Sequence, residues 1–114
     1  IIRDGTYTGF GNTIDSNHLP PSGSLGNYTT IKAEHVGKVV FDGERVRIPV
    51  SLCNRDYIHF DGIVYKNSSG AVFRVIGTAD KKLSHIKITR CGFSEAYNPV
   101  GGEVYDLLFF RYVT

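Results

Sequence analysis

Two phenol rings, an imidazole and a carboxylate lie close together near the middle of the chain. These side chains are Tyr57, His59, Asp61 and Tyr65, and they surround an Asp-Gly pair that is typical of a tight turn. Aromatic rings with neighbouring acid and imidazole groups are side chains that recognise sugars and protein surfaces. We therefore predict a ligand-binding site formed by these four residues.

The same region offers little for metal or nucleophilic chemistry. His59 and Asp61 are two positions apart, but no third ligand can be named and no histidine or cysteine pair has the spacing of a metal site. No nucleophile motif of the Gly-x-Ser-x-Gly kind occurs either. We predict no metal and no cofactor, and we favour a non-catalytic protein.

An enzyme is the alternative interpretation. A small secreted hydrolase or ribonuclease needs an acid–base pair and a cation that neutralises the developing charge. The chain contains side chains from which such a set can be assembled, although no spacing specifies it: Glu34 or Glu44, Arg74 or Arg90, and His85.

Length and composition restrict the class of protein. The chain has 114 residues and a mass of 12.6 kDa, which predicts one domain over residues 1–114. A net charge of +2 does not favour a nucleic-acid partner, and no apolar run is long enough for membrane insertion. Because the chain begins at Ile1 and contains no methionine, we expect a processed protein or a domain excised from a longer one.

Alternating apolar and polar residues indicate strands, whereas helix patterns are nearly missing. Residues 45–52 place Val46, Ile48, Val50 and Leu52 on one predicted face, with Arg45 and Arg47 on the other. Further strands are predicted at residues 28–33, 38–41, 71–76, 85–89 and 104–113. With short turn signals between them, about eight short strands predict an all-β fold: an antiparallel β-sandwich of jelly-roll or immunoglobulin-like kind, or a distorted barrel.

Residues 11–27 interrupt this pattern. They are rich in glycine, proline, serine and asparagine and carry no periodic apolar face. We predict a long polar loop, and a loop of this length is often functional.

The two cysteines provide a test of the topology. Cys53 and Cys91 each follow a predicted strand, and a small exported domain would pair them in a disulfide. In a sheet of alternating strand directions the two thiols reach the same end only if Asp61-Gly62 forms a hairpin turn. The disulfide and the hairpin are therefore predicted together.

The last predicted strand has more aromatic rings than one sheet face can cover. The rings belong to Tyr105, Phe109, Phe110 and Tyr112 and point to both sides of a strand. Exposed rings of this kind favour a subunit interface, so we expect a homo-oligomer or a subunit of a larger assembly.

Taken together, these features favour a non-catalytic recognition domain. We expect an adhesin subunit, the binding subunit of a toxin or a viral receptor-binding head whose partner is a cell-surface glycan or protein receptor. Such a domain would be secreted or displayed on a cell or virion surface. This expectation combines the all-β pattern, the predicted disulfide, the long polar loop and the surplus of aromatic residues.

Overall fold

The computed structural model describes residues 1–97 and 107–114, which form ten short β-strands and one short 3-10 helix at Phe10–Asn12. Most strands have three to five residues, as alternating apolar segments bounded by turn residues predict. The strands are β1 Gly5–Tyr7, β2 Thr29–Lys32, β3 Val39–Asp42, β4 Val50–Cys53, β5 Ile58–Asp61, β6 Ile63–Ser68, β7 Phe73–Ile76, β8 Ile86–Thr89, β9 Gly92–Ala96 and β10 Leu108–Arg111.

The strands form three sheets, and every strand pair in them is parallel. One sheet has the order β2-β5-β8, the second β1-β3-β6-β9 and the third β4-β7-β10. Consecutive strands thus belong to different sheets. From β2 to β10 the chain passes through the first, second and third sheet in that order three times. Each pass is one coil of a three-sided parallel β-helix, and the segment Ile2–Ile14 adds a partial coil before the first.

The antiparallel β-sandwich predicted from the sequence is therefore wrong, although the strand content is confirmed. Alternation requires only that one face of a strand is buried and the other is wet. A sandwich and a β-helix both meet this requirement, since each coil points alternate side chains into a shared core. The two folds differ in the direction of the neighbouring strand, and the alternation of apolar and polar residues does not depend on that direction.

The coils differ in length, which explains why no repeat is visible in the sequence. Ile58 pairs with Thr29, 29 positions earlier, and with Ile86, 28 positions later. On the third sheet, however, Phe73 pairs with Val50, 23 positions earlier, and with Leu108, 35 positions later. Insertions in the turns therefore shift equivalent residues out of any fixed period.

A column of aromatic rings forms the centre of the core. Tyr7, Phe41, Tyr65 and Phe93 come from four successive coils and lie in register on β1, β3, β6 and β9. Neighbouring ring centroids are 5.7, 5.6 and 5.7 Å apart along this column. Phe73 packs its ring edge-on against the column from the facing sheet. Contacts of this geometry stabilise beyond the area that they bury.

Left-handed backbone conformations turn the chain at the corners of the coils. Gly62, with φ 80°, lies between β5 and β6, and Arg90, with φ 52°, occupies the equivalent corner one coil later. Tyr57 and His85 have φ 56° and 58° directly before β5 and β8. Such φ values cost an L side chain free energy, so the surrounding packing must hold these corners in place.

The predicted strand at residues 45–52 is confirmed only in its second half. Val50 and Leu52 are buried, but Val46 is 61% exposed and Arg47 only 7%, the reverse of the predicted faces. The chain turns sharply here because Asp42 accepts a hydrogen bond from the backbone N–H of Glu44. The Asp42 side chain thus stabilises a turn where the alternation predicts continued strand.

The cysteine prediction is also wrong. Cys53 and Cys91 are both free thiols, because Cys53 ends β4 on one sheet whereas Cys91 lies at the corner before β9 on another. The Cys91 thiol contacts the carbonyl oxygen of Phe60 at 3.6 Å, and burial raises its pKa. The predicted Asp61-Gly62 hairpin is wrong as well. Gly62 turns the chain into the next sheet without reversing its direction.

Most of the predicted polar loop at residues 11–27 folds along the side of the β-helix. The Arg55 guanidinium donates a hydrogen bond to the carbonyl oxygen of Pro20 at 2.8 Å, and Gly23 donates its backbone N–H to Asp56. A Cβ on Gly23 would lie 2.6 Å from the carbonyl oxygen of Tyr57, so only glycine fits here. In the described part, no helix is long and apolar enough to cross a bilayer.

Tyr65 provides a test of the stacked rings in the core. Its ring is fully buried, while its hydroxyl finds no hydrogen-bond partner among the described residues. We expect Tyr65→Phe to leave the free energy of unfolding unchanged or to raise it by about 1 kcal/mol, because an unpaired buried hydroxyl is removed. Tyr65→Ala should lower it by about 3–5 kcal/mol through the cavity that it leaves. Urea unfolding measures both, and equal losses in the two variants would contradict the stacking role of the ring.

Candidate binding face

The outer face of the sheet β2-β5-β8 carries two of the predicted binding residues, His59 and Asp61, among other polar side chains. On this sheet Ile31, Phe60 and Ile88 point into the core in register. Their neighbours along each strand must therefore point outward. We call the outward set the polar face, and it consists of Thr30, Lys32, His59, Asp61, Lys87 and Thr89, with Arg90 at the corner.

A chain of hydrogen bonds links the middle of the polar face. His59 Nε2 lies 2.7 Å from Thr89 Oγ1, and the Thr89 hydroxyl donates to Asp61 Oδ1 at 3.0 Å. Because that hydroxyl has only one proton, His59 must carry its proton on Nε2 and donate it to Thr89. Arg90 binds the same carboxylate through both of its oxygens, at 2.9 and 2.6 Å. Asp61 is thus held on one side by a hydroxyl and on the other by a guanidinium.

These contacts set the charge states on the face. The hydrogen bonds from Arg90, supported by Thr89, hold the pKa of Asp61 at about 2 against the opposing effect of burial. Burial, together with the positive charge of Lys87, lowers the pKa of His59 below its usual value. At neutral pH, Asp61 is therefore ionised and His59 is neutral.

A column of rings borders the polar face where its strands begin. Tyr28, Tyr57 and His85 directly precede β2, β5 and β8, one from each coil. The rings of Tyr57 and His85 stack in parallel with centroids 4.4 Å apart, and Tyr28 packs edge-on against Tyr57 at 5.7 Å. We call these three residues the aromatic column. His85 is exposed and the two tyrosines are half-buried, so the column is open to solvent.

The structure separates the four predicted binding residues into two groups. Tyr57, His59 and Asp61 lie together, on the aromatic column and the polar face. Tyr65 does not belong with them, because its side chain points into the core and is 0% exposed. Tyr65 is an even number of positions from His59 and Asp61, so simple alternation would place all three on one face, but the corner at Gly62 shifts the phase and turns Tyr65 inward.

Several residues of the face were missed as binding residues. Thr89 was not named at all and Arg90 was named only for the alternative hydrolase, and they lie 28 and 29 positions from Asp61, their shared hydrogen-bond acceptor. The one sequence signal is the match between the strands at residues 58–61 and 86–89, which repeat an apolar-polar pattern 28 positions apart. Two strands are too few to reveal a period.

The residues of the alternative hydrolase site have separate partners. Glu44 pairs with Arg47, Arg74 donates to Ser51, and Arg90 binds Asp61. Glu34 lies beside His35, while His85 stacks on Tyr57. Within residues 1–97 and 107–114, no hydrogen bond or ion pair joins a predicted base, a predicted cation and His85 into one set.

The predicted interface residues lie on the last coil. Phe109, Phe110 and Tyr112 are 39%, 46% and 41% exposed, and Tyr105 lies outside the described residues. β10 forms one edge of its sheet and pairs with β7 on its other side. The inward residues of this coil are also more exposed than those one coil earlier: Phe110 contrasts with its partner Val75, which is 0% exposed.

The comparisons with known proteins add no residue to these sets, since no family model, no curated protein and no solved structure matches the chain. The polar face and the aromatic column are defined by their geometry.

Removing the charge of Asp61 should expose its coupling to Arg90. We expect Asp61→Asn to lower the free energy of unfolding by about 1–2 kcal/mol at pH 7, because the charge-assisted bonds are lost from a partly solvated pair. Since the pKa of Asp61 lies below its usual 3.8, this stability is present above about pH 4 and is lost as the pH falls towards 2. Urea unfolding should therefore show the free energies of unfolding of the variant and the wild type becoming more similar as the pH falls from about 4 towards 2. Asp80→Asn, in an exposed turn, is the matched control.

Proposed function

We propose that this chain is a non-catalytic recognition domain that binds an acidic cell-surface glycan across the polar face and the aromatic column. The observation that carries the proposal is the alignment of these two features on one rigid sheet. Parallel strands in register place cationic, hydroxyl and aromatic side chains at regular positions on neighbouring strands, about 4.8 Å apart. Side chains held on strands are positioned more accurately than those on loops.

Charge favours an acidic ligand. Lys32 and Lys87 give the face two positive charges, while Arg90 and the one carboxylate of the set, Asp61, pair with each other. Because Asp61 is engaged by Arg90 and Thr89, it repels an incoming anion less than a free carboxylate would. Lys32 and Lys87 are exposed, which leaves their ammonium groups accessible to carboxylate or sulfate groups of a sugar chain.

The aromatic column favours a sugar over a small inorganic anion. The exposed His85 ring offers an apolar surface to the C–H face of a sugar, Tyr57 supports that ring from behind by stacking on it, and polar neighbours bind the sugar hydroxyl groups. Tyr57 and His85 stack on each other, so their orientation is fixed before a ligand arrives. A preordered surface of this kind loses little entropy on binding.

The proposed location follows from the proposed ligand. A domain that binds a cell-surface glycan or receptor is secreted or carried on a cell or virion surface, as in an adhesin subunit, the binding subunit of a toxin or a viral receptor-binding head. Because Cys53 and Cys91 are free thiols, a disulfide does not support this location. The face itself is the remaining support.

Glycan binding is tested by titrating the protein with uronic-acid and sulfated oligosaccharides and with neutral oligosaccharides of equal length. We expect the acidic series to bind, and Tyr57→Ala and Lys87→Ala to weaken binding by about tenfold each, or about 1.4 kcal/mol. Affinity should fall as salt rises, because exposed charges are screened. Isothermal titration calorimetry measures all of these quantities.

Lys38→Ala is the matched control, because Lys38 is an exposed lysine that directly precedes β3 on a different sheet. Equal affinity for acidic and neutral sugars, or equal losses in Lys38→Ala and Lys87→Ala, would contradict the proposal. Incubation with RNA and with simple glycoside and ester substrates tests the hydrolase directly. Turnover that His85→Ala abolishes would replace the binding proposal by the enzyme.

The proposed domain also self-associates through its last coil. The exposed large apolar side chains concentrate there more than anywhere else in the described part, and β10 leaves one edge unpaired among the described residues. Unpaired edges and open apolar ends of β-helices are covered in stable proteins. We propose a second copy of this chain as the cover, in agreement with the interface expected from the sequence.

Self-association predicts a concentration-dependent mass. We expect light scattering to show a dimer or larger species that Phe109→Ser and Tyr112→Ser together convert to monomer, because both side chains are exposed on this coil. Val46→Ser, which removes an apolar side chain that is even more exposed but lies elsewhere, should leave the mass unchanged. A wild-type protein that stays monomeric at high concentration would refute this part of the proposal.

A further inference from the structure

A second polar cluster lies away from the polar face, where the partial N-terminal coil meets the first full coil. Asp4 belongs to the partial coil, and Glu34 and His35 follow β2 about 30 positions later. His35 Nδ1 is 3.0 Å from Asp4 Oδ2 and 3.6 Å from Glu34 Oε1. One ligand atom from each of the three residues lies within 4.8 Å of the other two.

The backbone around this cluster is held firmly. Ile2 and Ala33 form a parallel bridge, in which Ile2 donates to the Lys32 carbonyl and Glu34 donates to that of Ile2. On the other side of Asp4, Gly5 donates its N–H to the carbonyl of Lys38. The three side chains are thus brought together by paired backbone on both sides.

The donor set is that of a divalent transition metal. One imidazole nitrogen and two carboxylates match the ligands of zinc, whereas calcium and magnesium prefer oxygen alone. Zinc lies about 2.0–2.2 Å from such ligands, so two ligands of one tetrahedral ion are about 3.4 Å apart. The separations of 3.0 and 3.6 Å at His35 bracket that value.

A hydrogen bond from His35 to Asp4 accounts for part of this geometry, but it leaves Glu34 without a role. Two carboxylates beside one imidazole keep an excess of negative charge at any charge state of the ring. Among the described residues, His18 and Asp15 form a comparable pair, with a nitrogen–oxygen distance of 3.0 Å, and belong to no group of three ligands. The extra carboxylate distinguishes the cluster from an ordinary histidine–aspartate pair.

We propose that Asp4, Glu34 and His35 form a surface site for one divalent transition metal ion of the zinc class. Water completes the coordination, because all three side chains are exposed. A bound ion adds an outer link between the partial N-terminal coil and the first full coil, which also meet through the Tyr7–Phe41 ring contact. The site is independent of the glycan-binding proposal and requires none of its residues.

The test is a calorimetric titration of the whole chain with zinc chloride under reducing conditions. We expect one binding event that His35→Ala abolishes and that Asp4→Asn weakens by about tenfold or more, since each removes a ligand or its charge. His18→Ala, the matched control, should bind zinc as the wild type does. Circular dichroism confirms that the variants are folded.

Thermal unfolding supplies a second measurement. Zinc should raise the melting temperature of the wild type and of His18→Ala, and should do so less for Asp4→Asn, because an ion that binds only the folded state stabilises it. No zinc binding by the wild type would overturn the proposal. So would binding that survives in His35→Ala, as expected if Cys53 or Cys91 were the ligand, and equal losses in His18→Ala and His35→Ala.

Discussion

The in-register stacking of inward side chains is the constraint on which the rest of this structure depends. Tyr7, Phe41, Tyr65 and Phe93 stack across four coils with centroids 5.6–5.7 Å apart. Because side chains alternate along a strand, a slip of one residue would turn this column to solvent. Burial of the rings therefore determines the pairing of the strands. The pairing in turn determines which polar residues become neighbours on the outside.

The polar face shows how the core governs the surface. The register that aligns Phe60 with Ile31 and Ile88 also aligns Asp61 with Lys32 and Thr89. The left-handed corner at Arg90 then directs its guanidinium back to Asp61 of the preceding coil. A bidentate pair offsets part of the cost of that corner conformation. Packing, corner geometry and electrostatics thus support the same arrangement of the outer face.

The alternation of apolar residues predicted several strands to within one or two positions. The strands predicted at residues 28–33, 71–76 and 85–89 contain β2, β7 and β8, and that at 38–41 overlaps β3 except for its last residue, Asp42. The sandwich was wrong because alternation reports burial and not the direction of the neighbouring strand. The Asp61-Gly62 pair misled for a related reason: positive φ serves a coil corner, as at Gly62 with φ 80°, as well as a hairpin.

By itself, the sequence determined the local properties: which segments are strands, which of their faces is apolar, and that His59 and Asp61 share the polar side. Only the tertiary structure decided the partners, such as Arg90 for Asp61 and Asp4 for His35, and the burial of Tyr65. The physical reason is that strand neighbours in a β-helix are one coil apart along the chain. The turns set the length of each coil, and paired strand residues are from 23 to 35 positions apart along the chain. No local pattern therefore specifies which residues meet.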